Sequence, residues 1–94
     1  MPCVIKFVGT AIGVPHAADG CYLRAFDPAP PPGSTEYDGG DLWLTEDLAE
    51  AKRFEEIAEA YRFWLTEAPY PFHVRPDGKP NRPLTAFTIE VVRV

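Results

Sequence analysis

The stretch from Thr45 to Glu67, TEDLAEAKRFEEIAEAYRFWLTE, decides how the chain is read. Its apolar residues recur at Leu48, Ala51, Phe54, Ile57 with Ala58, Tyr61, and Trp64 with Leu65, steps of three and four that fall on one face of an α-helix. Glu46, Asp47, Glu50, Lys52, Arg53, Glu55, Glu56, Glu59 and Arg62 lie between them and suit the solvated side, where mixed charges at the same spacings add small stabilising pairs. Thr45 is placed to cap the start through its hydroxyl, and Glu46 and Asp47 set negative charge against the positive end of the helix dipole. Pro69 and Pro71 cannot continue the helix, and Pro69 turns Ala68 away from helical angles, so the last turn closes near Glu67. An unbroken helix over 46–67 would be about 33 Å long, against about 17–20 Å for an ordinary strand. It would overhang any sheet it packed on. A break near Arg53 to Glu56, with a short first helix and a longer second one from about Glu55, removes that mismatch, although no Gly, Pro or second cap marks it.

The remaining segments read as strands and loops. Cys3 to Val8 alternates, with Cys3, Ile5 and Phe7 on the face expected to meet the helix. The Asp19-Gly20 turn leads into a second strand, Cys21 to Phe26, so the two form a hairpin with a long connection. Tyr37-Asp-Gly-Gly-Asp41 is a turn, and Leu42-Trp-Leu44 is a short third strand in which Trp43 points opposite its neighbours, either as a core anchor, the favoured reading, or as an exposed aromatic. The last strand, Thr85 to Val94, is the longest and the richest in β-branched residues, which favours a central position, antiparallel to the first. The expected fold is therefore α+β: a three- or four-stranded, mainly antiparallel sheet with one helical segment on one face, in the order strand, strand, strand, helix, strand. Its core is predicted from Ile5, Phe7, Leu23, Leu48, Ala51, Phe54, Ala58, Tyr61, Leu65, Phe87, Ile89 and Val91.

Ninety-four residues make a single domain spanning 1–94. The net charge is −5; residues 1–66 hold five basic and eleven acidic side chains, and residues 67–94 hold four basic and three acidic ones. That balance does not suit a non-specific phosphate binder. No apolar run approaches the length of a membrane span and no signal-like leader opens the chain, so a cytoplasmic location without membrane contact is expected. Eleven prolines point to long, extended loops. The Asp27-Pro-Ala-Pro-Pro-Pro-Gly33 tract formally contains a P-x-x-P pattern but has no basic residue within it, and reads as a stiff surface connector.

Candidate chemistry is sparse. Cys3, His16, Cys21 and His73 lack the close ligand pairs of a zinc site, so no metal or other cofactor is assigned, and one Cys3–Cys21 disulfide is possible only if the first two strands set them opposite each other. The same residues cannot be joined into a nucleophile with an adjacent base, and a carboxylate pair from Asp38 and Asp41 has no further support, so no catalytic residue is named. The loop after the helix is more informative. Tyr70, Phe72, His73, Arg75, Lys79 and Arg82 combine aromatics with cations, and aromatics and Arg are the residue types that most often dominate an interface. This favours a non-catalytic protein-binding domain, monomeric or homodimeric. The alternatives are a nucleic-acid-binding module built on Arg75, Lys79, Arg82 and the loop aromatics, or a small enzyme.

Tyr22-Leu-Arg-Ala-Phe-Asp27, Leu42-Trp-Leu-Thr-Glu-Asp47, Ala51-Lys-Arg-Phe54 and above all Asp77-Gly-Lys-Pro-Asn-Arg-Pro-Leu-Thr-Ala-Phe-Thr-Ile-Glu90 resemble a group of small, uncharacterised proteins of tailed phages and bacterial prophages. The resemblance covers most of the chain from Tyr22 onward. It carries no activity and no catalytic residues. It implies an accessory protein in a bacterial host that acts through contact with a host or phage protein.

Overall fold

The structure, a computed structural model, describes residues 1–94. Four strands, β1 (Cys3–Thr10), β2 (Tyr22–Asp27), β3 (Asp41–Thr45) and β4 (Phe87–Arg93), form one antiparallel sheet in the spatial order β3-β2-β1-β4. A single α-helix, α1 (Ile57–Trp64), packs against it, so the chain is α+β with the order βββαβ. Cys3, Ile5, Phe7, Leu23, Phe54 and Ala60 are buried together between sheet and helix, with Ala18 from the long β1–β2 connection closing one side.

The break offered near Arg53 to Glu56 is present and starts earlier, so the segment is divided in three. Leu48–Glu50 is one turn of 3-10 helix, residues 51–56 are not helical, and α1 follows. The cause lies in the sheet. β1 and β2 register only at Lys6 and Tyr22, and toward the start of β1 they diverge. Residues 52–54 fill the opening: the Cys3 N–H donates to the Phe54 carbonyl at 2.8 Å, the Phe54 N–H donates to the Cys3 carbonyl at 2.9 Å, and the Lys52 N–H donates to the Leu23 carbonyl at 2.9 Å. Those bonds satisfy groups that β1 and β2 would otherwise leave unpaired, and they bury Phe54 and Ala51. Intrinsic helix preference among such residues is worth only a few tenths of a kcal/mol per position, roughly, and yields to that gain.

Four further expectations are corrected. Thr45 belongs to β3 and accepts from the Asp47 N–H at 3.0 Å, while Asp47 caps the 3-10 turn by accepting from the Ala49 N–H at 2.9 Å. The helix turns a different stripe inward: Ala60 is buried and Ile57 and Phe63 pack on the core, whereas Leu48, Ala58, Tyr61 and Leu65 are exposed. Once the residues before Glu56 leave the helix, the face is set by Ile57, Ala60 and Phe63 alone, at steps of three. Trp43 stands 47 % exposed on the sheet face away from the helix, because nothing covers that side of β3. The last strand lies at the edge, and β1 takes the centre with partners on both sides. The two cysteines are both free.

Candidate functional site

Two loops enclose a cleft of about 810 Å³ between them, within the range of roughly 300–1,000 Å³ usual for binding pockets. Its floor is apolar, from Phe26 at the end of β2, Leu42 at the start of β3, Leu84, and Phe87 at the start of β4. Residues 35–40 make one wall and Pro71, Phe72, Val74, Arg75 and Pro76 the other.

The first wall is tied down by the chain beneath it. Tyr37 donates its hydroxyl to the Pro28 carbonyl at 2.7 Å, which anchors the wall to the proline tract. Gly40 has φ +80°, and a Cβ there would run into the Asp27 carbonyl and lie 2.9 Å from Pro28 Cα, so only glycine lets the loop lie this close. Burial, reinforced by the charges of Asp38 and Asp27, raises the Tyr37 phenol above its usual value near 10.

The second wall is better ordered than a proline-rich loop suggests. The Asn81 N–H donates to the His73 carbonyl at 3.0 Å, Val74 bridges to Pro80, and the Arg75 N–H donates to the Lys79 carbonyl at 2.8 Å, so 73–81 is a small two-armed hairpin turning at Pro76-Asp77-Gly78. Asn81 holds its base, its side-chain Nδ2 donating to the Phe72 carbonyl at 2.9 Å and its main-chain carbonyl accepting from the Ala68 N–H at 2.8 Å. The walls meet where Phe72 stacks on Tyr37, with ring centroids 5.4 Å apart and planes inclined by 21°.

Of the loop residues singled out in the sequence, the structure brings only Phe72 and Arg75 to the cleft. Tyr70 is 84 % exposed and leans on His73 outside the cleft, with the ring centroids 5.4 Å apart. Lys79 is exposed across the hairpin from Arg75. Arg82 precedes the 3-10 turn Pro83–Ala86, half-buried, with its Nε shielded from solvent and without a hydrogen-bond partner. Arg75 is paired with Asp77 at 3.2 Å in an exposed contact that contributes little to stability. Sequence reasoning missed Tyr37, Val74 and Asn81. The Asp-Gly-Gly after Tyr37 marked a turn, but nothing in the sequence said that the turn faces the hairpin.

The polar lining is uneven. Glu36 and Asp38 stand on one wall and Arg75 on the other, where Asp77 already engages it. The candidate nucleophiles are scattered. Cys3 is buried under the helix, the Cys21 thiol points at the Ala17 carbonyl 3.9 Å away, and His16 Nδ1 accepts from the Ala18 N–H at 2.9 Å. No three His, Cys, Asp or Glu side chains converge as a metal-holding group, and no helix is long and apolar enough to cross a membrane. Compared with known proteins, the chain matches no family model, no curated sequence and no solved structure.

Proposed function

We propose that this is a non-catalytic protein-interaction domain, a phage or prophage accessory protein whose cleft receives an extended segment of a host or phage protein. The observation that carries the reading is the cleft itself: an apolar floor between two walls that are joined by the Tyr37–Phe72 stack and held by backbone bonds. A site already built in the free protein costs little ordering on binding. The lining chemistry describes the segment. Apolar side chains suit the floor of Phe26, Leu42 and Phe87, and a basic flank suits Glu36 and Asp38. The same acids oppose a phosphate backbone, and the one cation in the lining is already paired, so the nucleic-acid reading gains nothing here. Neither cysteine has a histidine as hydrogen-bond partner, so the cysteine–histidine pairs considered for an enzyme gain no support here.

Affinity capture from a bacterial lysate tests the proposal when the wild type is compared with the double substitution Val74→Asp, Arg75→Ala. Both side chains are exposed, so the circular dichroism spectrum and melting temperature should stay close to wild type. Phe72 is a poorer choice, because removing it also breaks the stack that joins the walls. The expected result is a dominant protein partner retained by the wild type and lost by the folded variant. Undiminished capture by the variant, or nucleic acid in place of a protein, contradicts the reading.

A further inference from the structure

We infer that the open edge of β4 pairs with the same edge of a second copy of the chain, extending one sheet across a two-fold axis. The inference is independent of the cleft and rests on three observations about β4.

The first concerns its backbone. β4 pairs with β1 and with nothing else. The Val94 N–H donates to the Pro2 carbonyl at 3.0 Å and the Ala86 carbonyl accepts from the Ala11 N–H at 2.9 Å, so the even-numbered residues of this strand turn their polar groups toward β1. By alternation the N–H and C=O groups of Ile89, Val91 and Arg93 point outward, and none has a partner in the molecule outside the strand ladder.

The second is that the edge carries few guards: its two charged residues are Glu90, whose backbone faces β1, and Arg93 at the strand's end. Phe87-Thr-Ile-Glu-Val-Val-Arg93 contains no proline and no lysine, and the register irregularity of the β1–β4 pair falls between Phe7 and Gly9, in the other strand. The opposite edge is different: β3 has five residues, begins at Asp41, and runs directly into Glu46 and Asp47.

The third is that apolar side chains accumulate along this edge. Ile89 and Val91 point toward the helix but are only half-buried, and Tyr61, 43 % exposed, and Trp64 stand over Phe87 and Ile89 around an open groove of about 220 Å³. The edge therefore offers unpaired backbone and uncovered apolar surface in one place.

The strand is self-complementary, which selects a second copy as occupant. With the two-fold at Val91, Val91 faces Val91, and Ile89 faces Arg93 of the second copy and the reverse. Each of these pairs exchanges both of its bonds through groups that already point outward. On the other face Glu90 lies opposite Val92, so no like charges are opposed.

Sedimentation equilibrium and amide hydrogen exchange on the unaltered protein test the pairing together. The expected result is a mass that doubles with concentration, accompanied by a slowing of at least an order of magnitude in exchange at Ile89, Val91 and Arg93. Glu90 and Val92, bonded to β1, should be slow in dilute and concentrated samples alike. Tyr61→Glu, placed on the exposed groove, should weaken the association by about tenfold or more while leaving the dilute exchange pattern unchanged. A monomer at millimolar concentration overturns the inference. So does a dimer whose Ile89, Val91 and Arg93 amides exchange as fast as in the dilute sample, since that dimer uses another surface. Should Tyr61→Glu fail to fold, the exchange comparison on the unaltered chain decides by itself.

Discussion

At the scale of single residues, Tyr37 does most to give the cleft its shape. Its ring meets Phe72 across the gap and its hydroxyl donates to Pro28, so a single side chain fixes the distance between two loops remote in sequence. Its raised pKa makes this testable. A phenol held protonated more firmly in the folded state than in the unfolded one contributes stability that is fully present below the unfolded value near 10, and that is lost as pH rises through the higher folded value. An absorbance titration of the folded protein should therefore show a late step, above the usual phenol value, that belongs to Tyr37. Tyr37→Phe should remove that late step and flatten the loss of melting temperature above pH 10. A titration curve unchanged by Tyr37→Phe contradicts the assignment. Little of this was legible beforehand: the Tyr37-Asp-Gly-Gly turn can be read from its glycines, but the hydrogen bond to Pro28 depends on how the proline tract folds back.

At the scale of elements, the instructive segment is 45–67. The pattern of apolar residues identified the segment that packs on the sheet, but the helix ends at Trp64, three residues before Glu67, where the prolines were expected to close its last turn. The pattern misled about the middle, because Phe54 is buried by extended backbone rather than by a helix face. A period of three or four positions does not distinguish a continuous helix from a 3-10 turn, an extended link and a short helix that bury the same Ala51 and Phe54. What decides is the opening between β1 and β2, and a gap between two strands has no signature in either strand's own sequence. Phe54 also packs on Phe63 at 5.3 Å, and the Lys52 ammonium lies 5.6 Å from its ring centroid. Phe54→Ala should accordingly cost about 3–5 kcal/mol in urea unfolding, a large part of the stability of a domain this size. Leu48→Ala, at an exposed position one turn earlier, should cost less than about 1 kcal/mol. Equal losses from the two would restore the single helix face and refute the extended link.

At the scale of the whole molecule, the fold class and the element order follow from alternation in the strands and from the single periodic segment. Strand order does not. The β-branched content of Phe87 to Arg93 favours a central strand, yet it lies at the edge, and the centre goes to Cys3 to Thr10, whose Cys3, Val4, Ile5 and Phe7 are all buried. Burial on both faces marks the central strand, and the single lysine in β1 obscured it. The candidate site was half legible for a similar reason: composition marked the loop after the helix, and only the fold showed that its hairpin stands across from 35–40 and that Tyr70, His73 and Lys79 turn away. The central claim is that this cleft is where the protein meets its partner. Amide chemical shifts of the isotopically labelled chain, recorded free and saturated with the captured partner, test it most directly. The largest changes should fall on Tyr37, Gly39, Phe72, Val74, Asn81 and Leu84, with the exposed acidic side chains Glu50, Glu55 and Glu59 nearly unmoved. Changes concentrated on those three glutamates, with the cleft residues silent, would contradict it.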